Sequence, residues 1–327
     1  MSESPIQSQS QLRVAYLNNP DPVFFNELDT KLQENLISQG AIVIPFQLDD
    51  ISIKIQTSQI KFYLKDSNEE FQFDAFISYG YMSKFSDVAF FYLLTAIEKA
   101  NKYVLHSTNT LSILNNKLMQ AFSFSGDGVN IPRTFSAFSI PAIRNVVDLH
   151  FKPDEVSISK NFVDYGGDGV RKCDSTDFAV NNFARFYWGK EYTMLQKFIS
   201  DSIGKSVRVF IVGGKTITIA EYQDLTGDFR SNVSFHGGFK LLNLQNCQKK
   251  KDYSEIAEHA VNCIGNINVC GVDLLDSKEK GIIVLEINAY PELYDISKET
   301  GVNVFEAFIQ YYYKSAVEFK SKSQVSK

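Results

Sequence analysis

The sequence predicts an α/β fold that is divided into more than one lobe. The chain has 327 residues, which is long for a single hydrophobic core. In its first third, short apolar runs typical of strands alternate with amphipathic segments typical of helices. Further along, two pairs of apolar runs flank polar breaks that contain glycine, as β-hairpins do. With 44% hydrophobic and 22% charged residues, the composition is that of an ordinary globular protein.

The N-terminal part predicts a small α/β domain at residues 12–111, preceded by a polar lead-in, residues 1–11, that we expect to be disordered. The pattern of this domain is strand, helix, strand, strand, helix, strand, over a length that is normal for a domain. The six segments are, in this order, Leu12–Asn19, Pro22–Ala41, Ala41–Phe46, Phe73–Gly80, Val88–Asn101 and Lys102–Ser107.

The remainder of the chain divides into a central part, residues 112–195, a C-terminal part, residues 196–317, and a polar tail, residues 318–327. The central part opens with a helical segment and contains a β-rich run that ends at Lys160. The C-terminal part contains both hairpins and closes with a helix.

Three oxygen-bearing side chains interrupt the apolar runs of the second hairpin, residues 271–293. Glu286 and Asn288 point to the same side because side chains alternate along a strand. Folding at the polar break, residues 276–281, brings Asp273 opposite them. Two carboxylates and an amide oxygen are ligands that Mg²⁺ accepts. The alternative is an ordinary hairpin with one solvated polar face, and the spacing alone does not decide between the two.

A glycine-rich loop, residues 164–170, follows the β-rich run that ends at Lys160. Such a loop lets backbone amides approach a phosphate closely. Its glycines are Gly166, Gly167 and Gly169. The loop is neither a Walker loop nor a G-x-G-x-x-G motif, so a flexible hairpin is the alternative. Lys160 and Lys117 are candidate phosphate contacts, although a single lysine is more often a solvated surface group.

A second polar loop, residues 227–238, combines Arg230 and Asn232 with His236 and paired glycines. Arginine suits bidentate contact with phosphate or carboxylate groups. Arg208 alternates with the neighbouring valines on a strand of the first hairpin. It therefore faces away from them, into a cleft or into solvent.

The composition argues against several classes of protein. A net charge of −5 lacks the basic excess of a nucleic-acid-binding domain. The four cysteines include no C-x-x-C pair, so no zinc ribbon or redox motif is expected, and their scatter fits a reducing cytoplasm. The sequence contains no apolar run of membrane-spanning length. Its histidines are too dispersed for an H-E-x-x-H zinc site.

Taken in order, these motifs resemble those of the ATP-grasp carboxylate–amine ligases. The similarity covers residues 112–317 and is carried above all by GDFRSN followed by GG, and by GVDLL followed by LEINAYP. Within that class the sequence is most similar to the RimK-type ribosomal-protein glutamate ligases, with bacterial glutathione synthetases as near relatives. The resemblance implies an α+β ATP-grasp fold, in which the small N-terminal α/β domain precedes two ATP-grasp subdomains.

The resemblance also implies roles for the charged candidates. Asp273, Glu286 and Asn288 would hold Mg²⁺, with Mn²⁺ as an alternative ion, between oxygens of ATP. Lys117 and Lys160 would contact the nucleotide phosphates, and the glycine-rich loop would close over them.

Further roles concern the base and the acid substrate. Arg208 and Asn232 would face an acyl phosphate, with Arg230 nearby as a substrate contact. The linker that reads the adenine edge, largely through backbone groups, would be Gln196, Lys197, Phe198 and Ile199.

Departures from the family pattern concern the substrates. Lys197 stands where the linker commonly has an acid, and Glu221-Tyr222 stand where many members have a Lys-Arg pair. Because such basic residues can hold an acidic substrate, we expect free glutamate to be a poor substrate. The loop around His236 is also one residue longer than the usual form.

The resemblance implies ATP-dependent formation of an amide or peptide bond, with ADP and phosphate released. The acid and the amine, whether amino acid, peptide or protein tail, are not identified by the sequence. We expect no nucleic-acid or membrane partner, a homo-oligomer is compatible with the sequence, and the oligomeric state stays open. Two alternatives keep the fold without ligation: a nucleotide-binding regulatory or scaffold protein, and a kinase-like use of ATP.

Overall fold

The chain forms two compact units in a computed structural model. The first unit combines Met1–Thr108 with Phe305–Lys327, and the second is Asn109–Val304. The structure describes residues 11–18, 22–79, 88–163, 167, 169–231, 238–265 and 267–325. The expected lead-in falls outside these ranges apart from Gln11. The boundary expected between residues 195 and 196, inside the second unit, stays a prediction.

The first unit contains a parallel four-stranded sheet, which agrees with its alternating strand and helix patterns. Its elements up to residue 104 are β1 (Arg13–Leu17), α1 (Pro22–Ser38), β2 (Ile42–Phe46), β3 (Ile51–Gln56), β4 (Gln59–Leu64), β5 (Ala75–Ser78), α2 (Val88–Lys99) and β6 (Tyr103–Val104). The sheet has the order β2-β1-β5-β6. The antiparallel β3–β4 hairpin is an addition to the expected order. The alternating Ile51, Ile53 and Ile55 are the pattern that identifies it.

The second unit contains two antiparallel sheets. Its elements are α3 (Thr108–Leu114), α4 (Lys117–Gly126), β7 (Thr134–Ser136), α5 (Ile140–His150), β8 (Ser157–Asn161), β9 (Val170–Cys173), α6 (Thr176–Trp188), β10 (Thr193–Lys197), β11 (Lys205–Val212), β12 (Lys215–Asp224), β13 (Phe239–Asn243), α7 (Lys250–Ile264), β14 (Val269–Ser277), β15 (Gly281–Asn288) and α8 (Tyr294–Thr300). One sheet has the order β7-β10-β8-β9 and the other has the order β13-β12-β11-β14-β15.

The last helix, α9 (Val304–Val325), packs within the first unit. Lys320 forms an ion pair with Asp74 at 2.9 Å, and the rings of Tyr312 and Tyr103 lie 5.4 Å apart. The residues expected to form a polar tail are therefore helical as far as Val325. Within the ranges given above, no helix has both the length and the apolar character that a bilayer span requires.

The helices α5 and α6 pack against the four-stranded sheet of the second unit. Each begins at a serine N-cap, Ser139 or Ser175, whose side chain accepts a backbone N–H of the first turn. The core between these helices and the sheet contains Ile143, Val147, Cys173, Phe183 and Leu195. This packing holds β8 and β10, the strands that carry Lys160 and Gln196.

The polar break of the second hairpin forms the turn between β14 and β15. Asp273 pairs with Glu286 across these strands, and Arg208 on β11 pairs with Asp273 from the other side. Directly paired residues of antiparallel strands share a face of the sheet. The three side chains therefore form one cross-strand row, which we call the charged row. A register shift beside Asp273 leaves Leu285 without a cross-strand partner, a bulge that re-aims its neighbours.

Two polar side chains satisfy the outer edge of β15, the last strand of the five-stranded sheet. Gln120 on α4 accepts the N–H of Ile287 at 2.7 Å and donates to its carbonyl oxygen at 3.0 Å. The Asn130 amide donates to two carbonyl oxygens near the start of the strand. Buried backbone groups need such partners, and an edge strand needs cover. The two side chains therefore fix the strand that carries Glu286 and Asn288.

Replacing Gln120 with leucine should loosen this edge. The change leaves the buried N–H and C=O of Ile287 without their partner, so we expect the free energy of unfolding to fall by about 2–4 kcal/mol. Urea denaturation measures this difference. The control Gln310→Leu removes an exposed bond to Glu306 and should change stability by less than about 0.5 kcal/mol. Equal effects of the two substitutions would contradict the role of Gln120.

Candidate functional site

Residues from both sheets of the second unit line a cleft. The cleft is open to solvent, and its lining combines apolar side chains with charged ones. The residues expected from the sequence that line it are Lys117, Lys160, Gly167, Gln196, Lys197, Phe198, Ile199, Arg230, Asp273 and Glu286. The fold thus brings together side chains from widely separated stretches of the sequence.

Arg208 and Asp273 form a buried, bidentate ion pair beside the cleft. Arg208 Nε donates to Asp273 Oδ1 at 2.7 Å, and Nη2 donates to Oδ2 at 2.8 Å. The two side chains are 11% and 5% exposed. Burial by itself lowers the pKa of Arg208, but the charge and hydrogen bonds of Asp273, together with Tyr222 and Glu286, raise this pKa above its usual value. Of the two orientations left open by the sequence, Arg208 therefore faces the site and not the solvent.

Glu286 lies between two lysines. Lys117 Nζ is 3.5 Å from Glu286 Oε2. The backbone N–H of Lys117 donates to the carbonyl oxygen of Phe162, which brings the start of α4 beside the end of β8 and Lys160. Burial alone would raise the pKa of Glu286, but Lys117 and Lys160 hold this pKa below its usual value. Burial lowers the pKa of Lys160, so a further anion at this place would favour its charged form.

The segment Gln196–Ile199 lines the cleft where β10 ends. The Gln196 side chain donates to Thr134 Oγ1 at 2.9 Å. The ammonium group of Lys197 forms an ion pair with Glu155 and donates to a backbone carbonyl. Because both polar side chains are engaged within the protein, hydrogen bonds from this segment to a ligand would come from its backbone. The expected reading of a base edge through backbone groups is compatible with this arrangement.

Arg230 connects the second polar loop with the glycine-rich loop. It pairs with Asp228 through Nη2 at 2.7 Å and Nε at 3.1 Å, and its Nη1 donates to the carbonyl oxygen of Gly167 at 2.9 Å. Gly167 has a φ of +84°, which favours glycine. Gly169 is buried just before β9. Two further expected site residues lie outside the described part of the chain: Gly166 and Asn232.

The oxygen atoms at the charged row are of the type that a magnesium ion prefers as ligands. Asp273 and Glu286 supply carboxylates, and Asn288 supplies an amide whose nitrogen donates to Asp273 Oδ2 at 2.9 Å. In the part of the chain that the structure covers, no three His, Cys, Asp or Glu residues form a cluster that could hold a metal ion. The two carboxylates would therefore share an ion with waters or phosphates, as Mg²⁺ sites commonly do.

Several apolar residues of the cleft were not among the expected site residues. Ile158 is two positions before Lys160, and Leu275 is two positions after Asp273, so strand periodicity identifies both once the polar residues are chosen. Leu285 follows no such rule. It lines the cleft next to Glu286 because of the bulge in β15, which the sequence pattern does not reveal.

Gly271 allows Arg208 to reach Asp273. A Cβ atom at Gly271 would lie 2.8 Å from Cβ of Pro291 and 3.3 Å from Cδ of Arg208. The first of these distances is too short for any side chain without a shift of its surroundings. Glycine is therefore needed at this position of β14 if the arginine is to lie across the strand.

A cleft between two antiparallel sheets, lined by two lysines, by Gly167 of the glycine-rich loop and by an acidic hairpin, is the arrangement of an ATP-grasp domain. The RimK-like ATP-grasp domain matches residues 144–312, more than half of the chain. The chain belongs to this family. The resemblance stated from the motifs and the expected fold class are both confirmed.

One relative and two solved structures illustrate the similarity. A probable alpha-L-glutamate ligase of Aliivibrio fischeri (strain MJ11) is 29% identical over 232 residues, which are 71% of this chain and 74% of that protein. The D-cycloserine synthetase DcsG matches with a TM-score of 0.70 and 12% identity, over 93% of this chain and 99% of that chain. The ATP-grasp ligase PsnB, complexed with a phosphomimetic variant of minimal precursor, Mg, and ADP, matches with a TM-score of 0.66 and 15% identity, over 94% and 98%. At such identities the two structures establish the fold.

Replacing Gly271 with alanine should displace Arg208 and Pro291. We expect ATP turnover to fall by on the order of 10²-fold, because Arg208 can no longer hold its place beside Asp273. Steady-state kinetics measure the loss, and circular dichroism checks that the fold is retained. The control Gly126→Ala, at the end of α4, places the new methyl group in open space without a left-handed backbone and should leave turnover close to that of the wild type. Undiminished turnover of Gly271→Ala would contradict the role of the close contact.

Proposed function

We propose that the chain is an ATP-dependent ligase that joins a carboxylate to an amine through an acyl phosphate. The observation that carries the proposal is the charged row with Lys117 and Lys160 beside it, in a cleft that also offers apolar side chains and free backbone. Membership of the RimK-like ATP-grasp family and the ligases among its relatives support the same reaction class.

ATP is proposed to bind with its base in the apolar part of the cleft. Ile158, Leu275 and Leu285 offer apolar surface to the base, and the backbone of the segment Gln196–Ile199 offers hydrogen bonds to its edge. Lys160 is proposed to contact the phosphates together with Lys117. The lowered pKa of Lys160 supports this, because phosphate charge would offset the penalty of burying an ammonium group.

Mg²⁺ is proposed to bind at Asp273, Glu286 and Asn288. When bound, the ion would neutralise negative charge on the phosphates. The PsnB complex contains Mg and ADP, which supports this pairing of ion and nucleotide for the fold. Mn²⁺ accepts the same oxygen ligands and is the alternative ion.

The proposed reaction has two steps. A carboxylate oxygen of the acid attacks the γ-phosphorus of ATP, and ADP leaves. The amine nitrogen then attacks the acyl carbon, phosphate leaves, and the proton of the amine passes to the phosphate or to solvent. Arg208 is proposed to stabilise the acyl phosphate, because its Nη1 group takes no part in the pair with Asp273. Asn232 and Arg230 are proposed as further contacts on the basis of the motif.

A regulatory protein that only binds nucleotide is the competing function. A protein that only binds nucleotide does not need the complete charged row. Burying an arginine and two carboxylates carries a large desolvation penalty, which a catalytic role would explain. The distinguishing observation is ADP release that requires both an acid and an amine. A screen of amino acids and peptides for ADP release, with mass spectrometry of the products, makes that observation.

Replacing Glu286 with glutamine should lower ATP turnover at least about 10²-fold. The substitution removes an anionic ligand and takes away the counter-charge of Lys117 and Lys160 while keeping the side-chain shape. ADP release with an acid–amine pair from the screen measures this loss.

The control for this experiment is Asp276→Asn on the same hairpin. Asp276 forms an ion pair with Lys249 at 2.7 Å and does not line the cleft. Its substitution should leave turnover largely unchanged. Near wild-type turnover by Glu286→Gln would show that the metal assignment is wrong.

The acid substrate is proposed to carry little charge beyond its reacting carboxylate. Glu221 and Tyr222 supply no cation at the position where many family members have a basic pair. The Tyr222 ring instead lies 5.1 Å from Cζ of Arg208. A second carboxylate on the substrate would therefore lack a basic partner at this place.

Free glutamate should be used poorly, with a kcat/KM at least about tenfold below that of an uncharged amino acid or a peptide, because its second carboxylate is unpaired. Steady-state kinetics with glutamate as the sole amino-acid partner measure this. Efficient turnover of glutamate, with a KM in the usual range of ~1 μM–1 mM, would contradict the specificity while leaving the ligase reaction standing.

A further inference from the structure

We propose that Tyr222 is a substrate-binding residue. Its phenol hydroxyl, together with the Nη1 group of Arg208, forms a subsite for the reacting carboxylate of the acid substrate. The inference rests on the ligase function proposed above and names the groups that receive the acid.

Tyr222 lies on the face of the five-stranded sheet that borders the cleft. It pairs directly with Ser206 across β11 and β12, and directly paired residues share a face. Ser206 lines the cleft, and Arg208 is two residues further along the same strand, on the same face. The tyrosine is therefore next to the position where the acid and the γ-phosphate would meet.

Two contacts hold the Tyr222 ring in place. The guanidinium carbon of Arg208 lies 5.1 Å from the ring centroid, and the Phe239 ring is stacked at 6.1 Å with an interplanar angle of 23°. The residue is only 8% exposed. The hydroxyl is consequently confined to one place, which is the condition for a preorganised binding group.

The Tyr222 O–H donates to no acceptor among the residues whose positions are known. The guanidinium of Arg208 acts on the phenol oxygen, but it is a donor and cannot accept the phenol proton. A buried polar group without a partner lowers the stability of a protein, so native structures contain few of them and each requires an explanation. Burial raises the pKa of Tyr222 to about 12, although the charge of Arg208 and its hydrogen bonding to the phenol oxygen oppose this. The hydroxyl therefore keeps its proton at neutral pH and can donate it in a hydrogen bond.

The neighbouring groups identify the class of ligand. The phenol O–H and the guanidinium Nη1 are both donors, so the ligand must present acceptors. The positive charge of Arg208 favours an anion, and two donors from two side chains match the two oxygens of one carboxylate. Two protein carboxylates act on Tyr222, and both are engaged elsewhere. Glu292 accepts backbone N–H groups at the start of α8, and Asp273 is bound by Arg208 and Asn288. A carboxylate from the substrate would complete the site.

The first test uses stability, which does not depend on turnover. Tyr222→Phe keeps the ring and its contacts and removes only the unpartnered hydroxyl. In the ligand-free protein we expect the Tm to rise by about 2–4 °C. The control Tyr253→Phe, on α7, removes a hydroxyl that donates to Asp276 at 2.8 Å, so its Tm should fall.

The second test uses acetate as a carboxylate probe. Saturation-transfer NMR measures acetate binding to the full chain in the presence of ADP and Mg²⁺. We expect the affinity to fall about tenfold in Tyr222→Phe and to stay unchanged in Tyr253→Phe. With an acid from the ADP-release screen, the KM for the acid should rise by a similar factor while the KM for ATP stays the same.

Two results would overturn the proposal. A lower Tm of Tyr222→Phe would mean that the hydroxyl is satisfied within the protein, and an unchanged acetate affinity would mean that it does not meet a carboxylate. Absence of turnover with every acid–amine pair would instead refute the ligase function. In that case the Tm and the acetate affinity still decide the role of Tyr222.

Discussion

The buried ion pair between Arg208 and Asp273 is the interaction on which the candidate site depends. It joins neighbouring strands, β11 and β14, and continues across the sheet to Glu286 through direct pairing. A buried charge that loses its partner destabilises a protein strongly. Each member of the charged row therefore fixes the position of the next. The result is a pair of carboxylates held side by side at the place where a divalent ion and phosphates are proposed to bind.

Several contacts hold the charged row in place without taking part in the proposed reaction. Gln120 satisfies the backbone of the edge strand between Glu286 and Asn288, and Gly271 leaves room for the arginine. The backbone of Lys117 is tied to the end of β8. These contacts position the side chains without touching a substrate.

The sequence predicted those features that depend on residues close together in the chain. Alternation along two strands and a polar turn set the register of the hairpin, so Asp273 lies opposite Glu286 as expected. Alternation places Arg208 on one face of β11. It does not identify Asp273 as the neighbour of Arg208, because β14 comes from a distant part of the chain. Leu285 was missed because a bulge breaks the alternation. Gln120 was missed because it bonds a residue 167 positions away, a contact that leaves no local pattern.

The central claim is that the charged row and the two lysines form a magnesium-dependent nucleotide site. The most direct measurement is isothermal titration calorimetry of the wild-type chain with a nonhydrolysable ATP analogue, at a series of Mg²⁺ concentrations. We expect one nucleotide per chain and an affinity that rises at least about tenfold with the ion, because the ion neutralises charge between the phosphates and the carboxylates. Binding that is equally tight without a divalent ion, or no binding at any concentration of Mg²⁺, would contradict the claim.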